Sequence, residues 1–74
     1  MDKACVIELA KAEIAKRLKD RHYSKYTAHF DAKYRQWTVV AYNDNDPPDS
    51  ETYLLISLKG DLLKISREPN PEDR

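Results

Sequence analysis

Residues 26–42 read YTAHFDAKYRQWTVVAY. Apolar residues alternate with polar ones on both sides of residues 32–35, which is the period of β-strands that bury one face. A turn at residues 32–35 places Phe30 opposite Trp37. The other apolar pairs on that face are then Ala28 with Val39 and Tyr26 with Ala41. Because a one-residue shift would move every apolar side chain to the wrong face, we predict an antiparallel hairpin in this register, with Gln36–Tyr42 as its second strand.

A second hairpin follows the first. Residues 51–59 and 62–67 are rich in Leu, Ile and Tyr, and the alternation of side chains in both segments is typical of strands. The only glycine of the chain is Gly60, and a two-residue turn at Lys59 and Gly60 makes use of its freedom to adopt positive φ. The predicted pairs are Leu58 with Asp61, Ile56 with Leu63 and Leu54 with Ile65. Pro69 is expected to end the sheet.

An amphipathic helix is predicted before the strands, over residues 3–19. Its apolar stripe has helical spacings of three and four residues and consists of Ile7, Ala10, Ile14 and Leu18. Asp2 is the predicted N-cap, because its side-chain oxygen can accept from the free amides of the first turn. Lys16 and Arg17 lie near the C-terminal end, where cations interact favourably with the helix dipole. Leu9 lies off the stripe, and we expect it to widen the buried face.

These elements predict a single α+β domain over residues 1–67, in the order α-β-β-β-β, with one helix packed on a four-stranded antiparallel meander. The charged tail at residues 68–74 has nothing to bury and is expected to be disordered. The predicted core consists of Ile7, Ala10, Ile14, Leu18, Tyr26, Ala28, Phe30, Trp37, Val39, Leu54, Ile56, Leu63 and Ile65. One helix covers one face only, so the other face of the sheet is predicted to be uncovered.

The uncovered face is predicted to be unusually apolar for a surface in contact with water. Its residues are Thr27, His29, Thr38, Val40, Tyr42, Tyr53, Leu55, Ser57, Leu62 and Lys64. Contiguous apolar patches mark interaction sites, and Tyr is enriched in interfaces. The predicted patch consists of Val40, Tyr42, Tyr53, Leu55 and Leu62. A second interpretation stays open, because aromatic and β-branched residues also favour strands without any binding role.

Charge is balanced overall but not locally. Residues 1–37 carry nine Lys and Arg against five Asp and Glu, a net charge of +4, whereas residues 38–74 carry four against eight, a net charge of −4. The segment at residues 43–50, NDNDPPDS, is predicted to be an exposed loop. The acids at and beside this loop are Asp44, Asp46, Asp49 and Glu51, with no basic residue among them. They form either a solvated loop or an acidic patch that steers a basic partner.

Length and composition exclude several classes of protein. A chain of 74 residues is too short for a multi-step enzyme with its own cofactor domain. No apolar run approaches the roughly 20 residues of a membrane-spanning helix, and no signal peptide is recognisable, so we expect a cytoplasmic protein that does not bind membranes.

No cofactor, metal site or catalytic residue is predicted. The single cysteine, Cys5, is expected to be a small buried thiol, and the two histidines, His22 and His29, lack the spacing of a zinc site. Asp44, Asp46 and Asp49 lack the glycine and terminal Glu of a calcium loop. No acid-base pair or nucleophile constellation can be assembled, so we do not expect an enzyme.

Nucleic-acid binding is a further alternative. Basic and aromatic residues occur together in the first half of the chain, and such surfaces can bind single strands. They include Lys3, Lys11, Lys16, Arg17, Lys19, Arg21, Lys25, Tyr23, Tyr26 and Tyr34. Glu8, Glu13 and Asp20 interrupt this surface, and the acidic second half would repel a phosphate backbone, so nucleic acid is not the predicted partner.

Three segments carry a resemblance to a known group: ELAKAEI in the helix, QWTVVAY in the second strand, and a glycine-turn hairpin that ends in GDLLKIS. In this order they resemble the small cystatin-like or nuclear-transport-factor-like immunity proteins of bacterial polymorphic toxin systems. PepSY-type domains are similar in having a helix followed by a strand hairpin. The resemblance spans about residues 5–66, although the turn is shorter than is usual in the group. It implies a cystatin-like fold and a non-enzymatic inhibitor that binds one cognate toxin.

The hypothesis that follows is a protein-binding inhibitor with one protein partner. Val40, Tyr42, Tyr53 and Leu55 would provide an apolar anchor. The steering charges would come from Asp44, Asp46, Asp49 and Glu51, which could mimic phosphates toward a basic nuclease cleft. Two alternatives remain open: a phage- or plasmid-encoded inhibitor of a host enzyme, of the protease-inhibitor type, and a small adaptor that forms a homodimer through the same face of the sheet.

Overall fold

The computed structural model describes residues 2–45 and 50–66. The elements are helix α1 (Lys3–Arg17) and strands β1 (Lys25–Asp31), β2 (Gln36–Tyr42), β3 (Thr52–Ser57) and β4 (Leu62–Ser66). The strands form one antiparallel sheet in the order β1-β2-β3-β4. The predicted α+β fold and its α-β-β-β-β order are confirmed. Within the described ranges, no helix is both long and apolar enough to cross a membrane.

Four predictions concern residues outside those ranges. They are the acids Asp46 and Asp49, the extension of the last strand to Arg67, the end of the sheet at Pro69, and the disorder of residues 68–74.

Helix α1 begins at the predicted cap. Asp2 Oδ1 accepts from the backbone N–H of Cys5 at 2.9 Å, which satisfies one of the free amides of the first turn. The helix ends at Arg17, two residues before the predicted end, where the N–H of Leu18 donates to the carbonyl of Ile14 at 2.7 Å. Lys16 and Arg17 occupy the last turn as predicted.

The buried stripe of α1 is rotated relative to the prediction. Val6, Ala10 and Ile14 are the buried residues, at a regular spacing of four, whereas Ile7 is only half-buried. Residues 6 and 7 are both aliphatic, so the helical period alone does not decide which of them faces the sheet. Leu9 and Leu18 are half-buried and pack against the core, so the predicted widening of the buried face by Leu9 is confirmed.

The β1–β2 hairpin has the predicted register without change, from Asp31 opposite Gln36 to Tyr26 opposite Ala41. Its turn at residues 32–35 is held by Asp31, whose Oδ1 accepts from the N–H groups of Lys33 at 3.0 Å and Tyr34 at 3.3 Å. Side chains that hydrogen-bond the backbone two or three residues on are a common way to close such turns. The alternation in this hairpin therefore fixed the pairing of seven residues.

The core lies between α1 and the helix-side face of the two central strands. Its buried apolar members are Val6, Ala10, Ile14, Trp37, Val39, Ala41, Leu54 and Ile56. Thr52 is also buried, and its hydroxyl is 2.5 Å from that of Tyr23, so this buried polar group has a partner. Phe30 was predicted to be in the core but is 38% exposed. It lies on the edge strand, and its ring contacts Trp37 with centroids 5.3 Å apart.

The β3–β4 connection differs from the prediction. Strand β3 ends at Ser57, whose N–H donates to the carbonyl of Asp61 at 2.9 Å, while its own carbonyl accepts from the N–H of Gly60 at 3.0 Å. Ser57 Oγ accepts from the N–H groups of Lys59 at 3.2 Å and Asp61 at 3.1 Å. The loop therefore has three residues rather than two, and Gly60 at φ 93° takes the left-handed position that such loops require.

A register shift follows this loop and reverses the roles of two leucines. Ile56 lies opposite Leu62, whereas Leu55 lies opposite Lys64, so the pairing shifts between them. Leu62 consequently packs against the core instead of lying on the uncovered face, and Leu63, predicted to be in the core, is 56% exposed. The predicted pairing of Leu54 with Ile65 is confirmed. Both predictions about the adjacent leucines were wrong, because a two-residue turn without a bulge was assumed.

Two Leu→Ala substitutions test this assignment. Leu54 is fully buried and Leu63 is mostly exposed, so L54A should lower the free energy of unfolding by about 2–5 kcal/mol through lost burial and the cavity left behind. L63A should change it by less than about 1 kcal/mol. Urea denaturation followed by circular dichroism measures both, with I56V as a milder core variant. Equal losses for L54A and L63A would contradict the shifted register.

Candidate protein-binding face of the sheet

The sheet face opposite α1, termed here the open face, is uncovered by any described element. Side chains alternate along each strand, so the partners of the buried core residues point away from the helix. Two rows cross the face in register: one is Thr27, Val40, Tyr53 and Ser66, and the other is His29, Thr38, Leu55 and Lys64. The predicted uncovered face therefore exists, with Leu62 removed from it.

Four larger side chains form the centre of the open face. Val40 lies directly opposite Tyr53 in the β2–β3 ladder. Tyr42 follows Val40 by two residues and Leu55 follows Tyr53 by two, so both lie on the same face as that pair. All four are half-buried although no described element covers them, because neighbouring side chains on adjacent strands shield one another. The structure thus brings together the four predicted apolar site residues, and we call them the apolar patch.

A carboxylate orients one of the two tyrosines of the apolar patch. Tyr53 donates its hydroxyl to Glu51 Oε2 at 2.7 Å, and the two residues are two positions apart, on the same face. Acceptance by Glu51 raises the pKa of Tyr53, with burial as the second cause and the negative charge of Glu51 as the third. The bond restricts the tyrosine ring to one orientation, so part of the ordering cost of an interface is met in the free protein.

The described acids lie at one end of the open face. Glu51 immediately precedes β3, and Asp44 follows β2 by two residues. Asp44 Oδ2 is 3.6 Å from Lys25 Nζ, and both side chains are more than half exposed, so this pair contributes little to stability. Of the four predicted steering residues, Asp44 and Glu51 are placed here, and Asp46 and Asp49 lie outside the described residues.

The loop before β1 is tied to the end of β2 by one side chain. Asn43 Oδ1 accepts from the N–H of Ser24 at 2.7 Å, and its Nδ2 donates to the carbonyl of His22 at 2.9 Å. By accepting from Ser24 and donating to His22, the side-chain amide of Asn43 forms the kind of hydrogen-bond pair that a neighbouring strand would form. Asn43 thereby holds the residues just before β1 against the end of β2, next to Lys25 and Asp44. From the sequence, Asn43 was predicted only as the first residue of the exposed loop.

A second feature is a basic groove at the C-terminal end of α1, outside the predicted site. A cavity of about 230 Å³ is lined by Lys11, Ile14, Ala15, Lys19, Arg21, His22, Tyr23 and Tyr26. Lys11 Nζ lies 5.3 Å from the centre of the Tyr26 ring, and Arg21 donates to the hydroxyl of Tyr23 at 3.3 Å. The groove contains several of the basic and aromatic residues considered above for nucleic-acid binding. Two of its cations, however, already contact tyrosines of the same chain.

The prediction that Cys5 is a small buried thiol was wrong, because Cys5 is exposed. It lies on an apolar groove beside the first turns of α1, lined by Asp2, Ala4, Cys5, Glu8 and Leu9. Cys5 lies on the side of the helix away from the buried stripe of Val6, Ala10 and Ile14. Within residues 2–45 and 50–66, no group of three or more His, Cys, Asp or Glu side chains is placed to hold a metal ion.

Comparisons with protein-family models, with curated proteins and with solved structures gave no match to this chain.

The Tyr53–Glu51 bond predicts a pH dependence. The pKa of Tyr53 is higher in the folded protein than the value of about 10 expected when unfolded. The contribution of the bond to stability is therefore complete below the unfolded pKa and is lost as the pH rises through the folded pKa. Glu51→Gln should return the pKa of Tyr53 toward its ordinary value, as followed by the chemical shifts of its ring in NMR titrations.

Tyr26 is the internal control in that titration. Its pKa is also raised, mainly by burial and secondarily by Tyr23, so Glu51→Gln should leave it unchanged. An unaltered Tyr53 pKa in the variant would show that Glu51 does not hold the ring.

Proposed function

We propose that this protein is a non-enzymatic inhibitor that binds one protein partner through the open face, of the immunity type that neutralises a cognate bacterial toxin. The observation that carries the proposal is the apolar patch: Val40 and Tyr53 are paired, and Tyr42 and Leu55 lie on either side of this pair, on a face that no described element covers. A chain this small has little core to spare, and yet two tyrosines and two aliphatic residues stay partly in contact with water on this face.

The composition of the patch suits a protein partner. Tyrosine is enriched at the centres of interfaces, because its ring buries a large area at a low cost in side-chain entropy while its hydroxyl remains hydrogen-bonded. The hydrogen bond from Tyr53 to Glu51 satisfies that hydroxyl in advance. An antiparallel sheet is also a rigid platform, so the four side chains keep their relative positions when a partner binds.

The acids favour a basic partner. Residues 43–52 contain four carboxylates and no cation, and two of those carboxylates, Asp44 and Glu51, flank the apolar patch in the structure. Complementary charge steers two proteins into encounter and raises the association rate more than it raises affinity. An apolar centre with acids at its end fits a toxin whose working surface is positive, such as a nuclease that must bind phosphates.

Substitution in the apolar patch should weaken binding. Leu55→Glu and Tyr53→Ala should each weaken the complex by about 2 kcal/mol or more, because a few central residues carry most of the binding free energy of an interface. The matched control is Ala12→Glu, an exposed helix position on the other side of the molecule. The assay captures partners from the source cell, then measures affinity and the activity of the captured protein at equal concentrations.

Inhibition decides the outcome of that assay. A captured protein that is inhibited by the wild type and by Ala12→Glu, but is bound about thirtyfold or more weakly by Leu55→Glu and inhibited correspondingly less, supports the proposal. Equal affinity of Leu55→Glu and the wild type for the same partner contradicts it. The identity of the inhibited protein distinguishes an immunity function from the alternative of a phage- or plasmid-encoded inhibitor of a host enzyme.

Neutralising the acids tests the steering role separately. A variant with Asp44→Asn, Asp46→Asn and Asp49→Asn, in which Glu51 is kept because it orients Tyr53, should associate with the partner about tenfold more slowly at low salt, while its dissociation rate changes little. Its association rate should also depend less on ionic strength, because screening acts on the removed charges. Stopped-flow measurements over a range of salt concentrations provide the rates. Identical rates for variant and wild type would remove the steering role and leave the apolar patch untouched.

A further inference from the structure

The outer edge of β1 is regular and lacks a strand partner among the described residues. All seven residues of β1 pair with β2 without a register shift, and the strand order places β1 at one end of the sheet. Its other side therefore presents a row of backbone N–H and C=O groups, which is a template for pairing with another strand. β1 is also the least buried strand, with four of its seven residues exposed and none fully buried.

The opposite edge of the sheet is protected where β1 is not. β4 has only five residues and has a register shift where it pairs with β3. Short strands and bulges are among the features by which natural proteins prevent edge-to-edge pairing. β1 has neither proline nor glycine nor bulge. The contrast indicates that the β1 edge is kept suitable for pairing.

The sequence of β1, KYTAHFD, is complementary to itself when run antiparallel about its central residue, Ala28. The pairs between two copies are then Lys25 with Asp31, Tyr26 with Phe30, Thr27 with His29, and Ala28 with Ala28. Opposite charges meet at both ends, on the open-face side, and aromatic rings meet on the helix side. Cross-strand ion pairs and aromatic pairs are the contacts that stabilise neighbouring strands.

We propose that two copies of this chain pair through β1 in that register and form a continuous eight-stranded sheet. Charge selects this arrangement over its competitors: a parallel pairing would place Lys25 against Lys25 and Asp31 against Asp31. A shift by two residues would leave both charges without a partner and lose two of the seven pairs. The contact is two-fold symmetric, so both β1 edges are occupied in it and assembly stops at the dimer.

The exposure of Phe30 supports the same arrangement. Phe30 contacts Trp37 on the β2 side but is 38% exposed, since β1 has no neighbour on its other side. In the dimer that side receives Tyr26 of the second copy, at the separation where aromatic rings pack edge to face. Asp31 is available for its ion pair, because its turn contacts use Oδ1 alone.

The dimer does not depend on the proposed function, because it uses the edge of the sheet and leaves the open face free. The wild-type protein alone provides the first test. Sedimentation equilibrium should show a reversible monomer–dimer equilibrium, and amide hydrogen exchange should slow with rising protein concentration in residues 25–31 but not in residues 62–66. Concentration-dependent protection of an edge strand reports the new backbone hydrogen bonds.

Charge variants test the register. Lys25→Glu places like charges against each other at both ends and should weaken the dimer about tenfold or more. Adding Asp31→Asn to it should restore most of the affinity, because the repulsion disappears while the amide oxygen can still accept from Lys33 and Tyr34. Asp44→Asn removes the Lys25–Asp44 contact of the monomer without touching the edge, so it should leave dimerisation unchanged. Lys64→Glu controls for the overall change in charge.

The outcomes separate this proposal from the others. A protein that remains monomeric at millimolar concentration overturns it. So does a dimer without slower exchange in residues 25–31, which would indicate pairing through the open face, the contact expected of a homodimeric adaptor. If Lys25→Glu and Lys64→Glu weaken the dimer equally, or Asp31→Asn does not rescue it, the proposed register is wrong.

Discussion

The burial of one face of β2 and β3 by α1 is the interaction on which the rest of the structure depends. Every second residue of these strands is buried and the residues between them are half-buried, because the side chains of a strand alternate between its two faces. A single helix of 15 residues can shield one face only. The register that builds the core therefore also presents the intervening side chains on the open face. Core and candidate site are two consequences of the same pairing.

The predictions from the sequence were right where the apolar pattern allowed only one arrangement, and wrong where it allowed two. In the first hairpin, only one register puts Phe30, Ala28 and Tyr26 opposite apolar partners, and that register is observed. In the second, Leu62 and Leu63 are identical neighbours, so either can occupy the inward position. The choice is made by Ser57, whose hydroxyl binds two backbone amides of the loop and favours three residues over two. Composition does not encode such a side-chain contact.

The same ambiguity explains the error in the buried stripe of the helix. Val6 and Ile7 are both aliphatic, and packing against the sheet selects Val6. For the candidate site, alternation was sufficient to place Val40, Tyr42, Tyr53 and Leu55 together. It was insufficient to reveal the Tyr53–Glu51 bond or the bridging role of Asn43, because both depend on side-chain directions at the ends of strands. A pattern with period two identifies the faces of a strand, whereas the polar contacts at strand ends are seen only in the three-dimensional structure.

The two proposed contacts use different surfaces of the same sheet and can coexist. Pairing through β1 would extend the sheet sideways and set two open faces next to each other, both directed away from the helices. Lys25 links the two surfaces, because it lies at the end of the β1 edge and contacts Asp44 beside the apolar patch. That contact is long and exposed, so exchanging it for Asp31 of a second copy costs little. The exchange would also free Asp44, and so increase the negative charge that the open face presents to a basic partner.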